Sequence, residues 1–187
     1  MRLYVGLVHY PVYNKHRETI ASAITPIDIH DFARLGKTYG IEGFFVITPL
    51  EDQQTLAHRI LRHWISGYGA RYNRHRKEAL SLVSVVSSLE VAVKEVKERE
   101  GDSAIVVATD ATLQEDRAMS YEALKRIVVS NEVVLLLFGT AWGLHEEILQ
   151  KADHVLDPIS GRTGYNHLSV RTAAAIILDR LMGVSAD

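Results

Sequence analysis

Val133-Val134-Leu135-Leu136-Leu137-Phe138-Gly139-Thr140-Ala141-Trp142-Gly143-Leu144 joins an unbroken apolar run to a turn with a glycine near each end. Apolar residues without polar alternation over this length predict a strand covered on both faces, the setting of a parallel sheet. Upstream, Ala104-Ile105-Val106-Val107-Ala108-Thr109-Asp110 has the same character, and downstream Asp153-His154-Val155-Leu156-Asp157-Pro158-Ile159 reads as a last short strand. Between them, residues 120–129 predict a helix opening on Ser120 and Glu122, and His145-Glu146-Glu147-Ile148-Leu149 predicts another. Residues 169–181, rich in alanine and long aliphatics, predict a final helix.

Toward the N-terminus the alternation continues. Leu3, Val5, Leu7 and Val8 make an opening strand, after which His9-Tyr10-Pro11-Val12-Tyr13-Asn14 turns the chain. Ile27, Ile29, Phe32, Ala33 and Leu35 fit a helix that starts near Asp28, with an acid in its electropositive first turn, and stops at Gly40. Gly43-Phe44-Phe45-Val46-Ile47-Thr48-Pro49 is a second buried strand, and Leu56, Ile60, Leu61 and Trp64 recur at helical spacing until Gly67-Tyr68-Gly69. Residues 80–86 read as an extended piece leading into an amphipathic helix over residues 89–99. Strands alternating with helices predict an α/β fold: an open, mostly parallel sheet with helices on both faces.

Composition narrows the function classes. The 187 residues, 47% apolar and 24% charged, suit one domain with a sizeable core, with residues 62–100 as a basic helical or loop elaboration. No apolar run approaches the roughly 20 residues a membrane span needs, and no secretory signal is expected. With no cysteine there is no disulfide framework, which is compatible with the cytoplasm. A net charge of −2 disfavours indiscriminate polyanion binding, but the local cluster Arg71-Tyr72-Asn73-Arg74-His75-Arg76-Lys77 offers both cations and an aromatic ring.

In such sheets ligands bind beyond the carboxyl ends of strands. Two glycine-rich loops are expected there, on neighbouring strands: residues 139–144, and residues 160–164 running on into Tyr165-Asn166-His167. Glycine lacks a Cβ, so a ligand can approach its backbone closely. Neither a dinucleotide fingerprint nor a phosphate-cradling lysine loop is present, there is no HExxH, and the histidines are scattered, so no metal centre is expected.

The segments 135–144 and 165–176 resemble motifs two and three of the SPOUT superfamily, the trefoil-knotted RNA methyltransferases, and residues 26–41 resemble motif one, all three in the family's order. The resemblance implies a C-terminal deep trefoil knot, a bent S-adenosylmethionine in the knot loops, and a homodimer acting on RNA, tRNA or rRNA. It implies a cofactor pocket of Leu137, Phe138, Gly139, Thr140, Trp142, Gly143 and Leu144 from one loop, Leu156, Asp157, Pro158 and Ile159 from the next, and Tyr165, Asn166 and Leu168 from the third. Arg34 matches the motif-one arginine, which in the ribose-methylating branch helps activate or orient the acceptor nucleotide. Asp28 and Asp31 precede it, Asp31 at a spacing that shares its helical face. Asn166 and His167 stand where the pocket opens, and Arg71, Tyr72, Arg74, Arg76 and Lys77 are the expected RNA contacts.

The motifs also depart from the family. Thr140-Ala141 stands where the ribose-methylating branch has Asn-Glu, and His167 occupies the place of its motif-three asparagine. These departures leave open a ribose oxygen or a base nitrogen as acceptor. They also keep two other classes in play: a knotted binding protein without turnover, and a structural oligomerisation module.

Overall fold

The computed structural model describes residues 1–184. Its main sheet holds β1 (Arg2–Val8), β4 (Gly43–Ile47), β5 (Val83–Val86), β6 (Ile105–Thr109), β7 (Ala118–Met119), β8 (Val133–Gly139) and β9 (His154–Leu156). It is parallel throughout, in the order β5-β4-β1-β8-β6-β9-β7. A separate antiparallel hairpin joins β2 (Val12–Tyr13) to β3 (Thr19–Ile20).

Alternate residues of each buried strand feed different cores, because successive side chains leave opposite faces. Leu3, Val5, Leu7, Phe44, Val46, Val134, Leu136 and Phe138 pack under α1 (Pro26–Tyr39), α2 (Glu51–Ile65), α4 (Arg74–Leu80), α6 (Tyr121–Val129) and α8 (Val170–Met182). Tyr4, Val8, Phe45, Ile47, Leu135 and Leu137 face α5 (Leu89–Glu100) and α7 (Glu146–Lys151). Each fully buried Leu or Phe contributes about 1.5–3 kcal/mol of transfer free energy, so these two layers are the main stabilising term. Between β1 and β8 the fit is tight: a Cβ on Gly6 would stand 2.8 Å from the Leu137 side chain.

The register brings three strand ends level. Val8 pairs with Gly139 on one side and Ile47 on the other, so His9, Thr140 and Thr48 follow at one edge of the sheet. Those three residues and Asp28, in the first turn of α1, are the buried polar residues among those described.

One expectation is corrected and three are sharpened. The strands preceding the two glycine-rich loops are not neighbours, since β6 lies between β8 and β9. Helix α1 starts at Pro26, before Asp28, because Thr25 caps it by accepting from the Asp28 N–H. The extended piece near residue 83 is a true edge strand beside β4, and the basic cluster is helical, split between α3 (Tyr68–Tyr72) and α4.

Candidate active site

The turn after β8 is shaped by the hairpin segment. Tyr13 N–H donates to the Gly143 carbonyl at 3.0 Å, Trp142 N–H to the Tyr13 carbonyl at 2.9 Å, and His145 N–H to the Pro11 carbonyl at 3.2 Å. Within the turn, Gly143 N–H donates to the Thr140 carbonyl at 3.0 Å. Ala141 (φ 53°) and Gly143 (φ 100°) take left-handed backbone angles, at which glycine is unstrained and alanine is not. A Cβ on Gly139 would stand 2.6 Å from the Leu144 backbone nitrogen, so the turn closes only on glycine.

Behind it runs a directed hydrogen-bond chain. The Thr140 hydroxyl donates to the Val8 carbonyl at 3.0 Å, which leaves its oxygen to accept from Ser22 Oγ at 2.5 Å. Ser22 then accepts from His9 Nδ1 at 2.9 Å, which assigns the Nδ1–H tautomer to that ring. His9 is fully buried and its Nε2 has no partner among the described residues. Desolvation holds its pKa down at about 4, so the ring is neutral.

A second polar group ties the two helix starts. Arg171, in the first turn of α8, places Nη1 2.7 Å from Asp28 Oδ1 and Nε 3.5 Å from Asp31 Oδ2. Asp28 also accepts from the Thr25 hydroxyl at 2.6 Å. Asp31 is therefore drawn toward Arg171, while Arg34, one turn further on, is exposed and makes no ion pair among the described residues.

The expected pocket residues divide by depth. Leu137, Phe138, Leu144 and Leu156 are buried wall, with Phe138 edge-on to Phe32 at 5.5 Å. Asp157, Pro158 and Ile159 are half-buried, and Asp157 N–H is bonded to the Met119 carbonyl. Trp142, Tyr165 and Leu168 are exposed, with 64% of Trp142 open to solvent. Asn166 Nδ2 donates to the Ala111 carbonyl at 2.9 Å, which fastens the third loop to the loop after β6, and the His167 ring stands edge-on to Tyr165 at 5.2 Å.

The basic cluster is contiguous with the start of this site. Helix α4 packs on α1, and the Arg76 guanidinium lies 4.7 Å over the Trp64 ring, whose edge meets His30 of α1 at 5.4 Å. The His30 pKa is lowered, by burial first and then by the charges of Arg76 and Arg34, so both arginines bear on one ring. Arg71, Arg74 and Lys77 are exposed, Arg74 being paired with Glu78 at 3.1 Å. Sequence reading gave no role to His9, Ser22 or Arg171. Their partners are distant in the chain, and no local pattern announces them.

A tRNA (guanine-N(1)-)-methyltransferase of Oleidesulfovibrio alaskensis is 46% identical over 181 residues, 97% of this chain and 42% of the relative, so the chain spans about two-fifths of that protein's length. Among solved structures, a putative methylase family protein from Neisseria gonorrhoeae superposes with a TM-score of 0.66 at 18% identity, covering 97% of this chain and 81% of the other. The SpoU methyltransferase AviRb from Streptomyces viridochromogenes, in complex with AdoMet, gives 0.59 at 17% identity, covering 97% and 57%. The family model described as SAM-dependent RNA methyltransferase matches residues 2–183, and this chain belongs to that family.

Proposed function

We propose that this chain transfers a methyl group from S-adenosylmethionine to RNA, with tRNA as the substrate that the relative's name favours. The observation that carries the reading is the Gly139 turn: the hairpin fixes its backbone at the carboxyl edge of a parallel sheet, and it closes so tightly that a Cβ would collide with the chain itself. That cradle fits an adenosyl ligand, with backbone groups of residues 139–144 and apolar walls from Leu156, Ile159 and Leu168 to hold it. When bound, the cofactor supplies an electrophilic methyl on a sulfonium.

The protein's own work is alignment, since in-line transfer needs a nucleophile held close and correctly turned. Arg34, exposed on α1 and without an ion pair among the described residues, is the cation we assign to hold the acceptor nucleotide and favour loss of its proton. Asp28 and Asp31, clamped by Arg171, fix the first turns of α1 and α8 and so the distance from Arg34 to Asn166 and His167. Asn166 orders the third loop, and we assign the exposed ring of His167, edge-on to Tyr165, to contact the acceptor nucleotide. Arg71, Tyr72, Arg74, Arg76 and Lys77 position the RNA. We read the chain as one cytoplasmic domain with α3 and α4 as its basic elaboration, its C-terminal segment threaded as a knot, and two copies paired through the last helix.

Nucleoside mass spectrometry of RNA from cells with and without the gene, with rescue by purified protein, tests the reading and identifies the acceptor as ribose oxygen or base nitrogen. A methylated nucleoside lost with the gene and restored in vitro is expected; identical nucleoside profiles would remove the enzymatic reading. One observation favours a second reading, a binding protein without turnover: the Thr140 hydroxyl is spent inward on Val8 and Ser22, and Ala141 offers no polar side chain. Cofactor binding with no methyl transfer to any RNA would favour that reading.

A further inference from the structure

Residues 53–77 contain no aspartate or glutamate, yet carry Arg59, Arg62, Arg71, Arg74, Arg76 and Lys77 in a chain of net charge −2. Two tyrosines stand out within this stretch. Tyr68 and Tyr72, one helical turn apart on α3, are 68% and 75% exposed, and their rings stack at 6.2 Å with 19° between planes. Their seat is fixed from behind. Gly69 is buried, and a Cβ there would fall 2.6 Å from the Trp64 ring, so the inner face of α3 is pressed onto α2. Asn73 then links α3 directly to α4, its side chain accepting from the Arg76 N–H at 2.9 Å. Large aromatic surface left in water is unfavourable, and here it is held rigidly outward.

We propose that Tyr68 and Tyr72 form a stacking platform for unpaired nucleotides of RNA, with Arg71 and its neighbouring cations holding the backbone beside it. The inference rests on the RNA-methyltransferase reading above and adds the form of the substrate. Charge complementarity selects the partner, because a surface on which cations outnumber acids, with Glu78 beside Arg74, favours a polyanion. The exposed π-faces select among polyanions: duplex RNA keeps its base faces inside the stack, whereas loops and single strands offer them to aromatic side chains.

The test is a fluorescence titration of the whole chain with a short single-stranded RNA carrying 2-aminopurine, and with the same strand annealed to its complement. The single strand should bind more tightly than the duplex, with a change in probe fluorescence. Tyr68→Leu/Tyr72→Leu should weaken single-strand binding on the order of tenfold or more while leaving the salt slope unchanged, and Tyr68→Trp/Tyr72→Trp should retain it. Equal affinity of the leucine variant and the parent, or equal affinity for single strand and duplex, overturns the platform. So does a leucine variant that loses self-association by light scattering but keeps its RNA affinity, which would assign the pair to a contact between copies. Methyl transfer by a leucine variant indistinguishable from the parent likewise removes the platform and leaves the enzyme standing. The expected binding pattern with no methyl transfer to any RNA supports the platform and removes the enzymatic reading.

Discussion

Arg171 Nη1 and Asp28 Oδ1 stand 2.7 Å apart and join the first turn of α8 to the first turn of α1 across 143 positions of sequence. The Asp28 side chain is mostly buried and that of Arg171 is about one-third exposed, so the pair is neither a free surface contact nor a dry interior one. Breaking it by Arg171→Leu strands a buried carboxylate, which should cost about 1–3 kcal/mol, below the range for fully buried pairs. Urea unfolding of both single variants and of Asp28→Asn/Arg171→Leu checks this. The double variant should lose less than the sum of the singles; strict additivity would mean the two residues do not interact.

His9 sets an acid limit on stability. Its folded pKa, held down at about 4 by burial, lies below the ordinary histidine value of 6.5, so the folded state binds this proton less readily than the unfolded state. The neutral ring's stability is fully present above about pH 6.5 and is lost as pH falls toward 4, by at most roughly 3 kcal/mol. Glu90, held at about 2 chiefly by its hydrogen bond to Lys151, acts in a lower window, between 4.5 and 2. His9→Gln should therefore flatten the upper part of the unfolding-versus-pH curve and leave the lower part. A variant that retains the parent's slope between pH 6.5 and 4 would show that His9 is not its source.

Gly139→Val should abolish cofactor binding with the fold retained, because its Cβ must displace Leu144 and with it the 139–144 turn. Gly143→Ala, at φ 100° with open space around it, should cost about 1 kcal/mol or more in backbone strain and weaken binding less. Calorimetry with S-adenosylmethionine and S-adenosylhomocysteine ranks the three proteins. Unimpaired binding by Gly139→Val would show that the turn is not the cradle.

The basic residues should not contribute equally to RNA affinity. Arg74 is partly neutralised by Glu78 and Arg76 is laid over Trp64, whereas Arg71 and Lys77 have no ion-pair partner among the described residues. Arg71→Ala/Lys77→Ala should reduce the slope of log affinity against log salt by about 2, and Arg74→Ala by less. Salt-titrated binding with calorimetric cofactor affinity as the control measures both. A slope unchanged in the double variant would place the RNA elsewhere.

The buried strands were legible because both their faces are covered, so β1, β4, β6 and β8 appear as apolar runs. Their order was not: a run such as residues 133–138 records burial, not which strand lies beside it, and β6 between β8 and β9 follows from long-range pairing. The β2–β3 hairpin escaped because so short a hairpin is stabilised by docking on the 139–144 turn rather than by its own pattern. In the site, Gly139 and Gly143 announced themselves through glycine's backbone freedom. The inward turn of the Thr140 hydroxyl and the Arg171 clamp on Asp28 and Asp31 depend on partners from other elements, which no spacing encodes.

Single-turnover methyl transfer from labelled S-adenosylmethionine to saturating tRNA, comparing the parent with Arg34→Ala, tests the central claim most directly. Arg34 is exposed and unpaired among the described residues, so its loss should leave unfolding and cofactor affinity unchanged. The parent should label the RNA, and the variant should slow the transfer step by about 10²-fold or more. Equal rates in the two proteins, or no label in any RNA with the parent folded and cofactor-bound, would contradict the account.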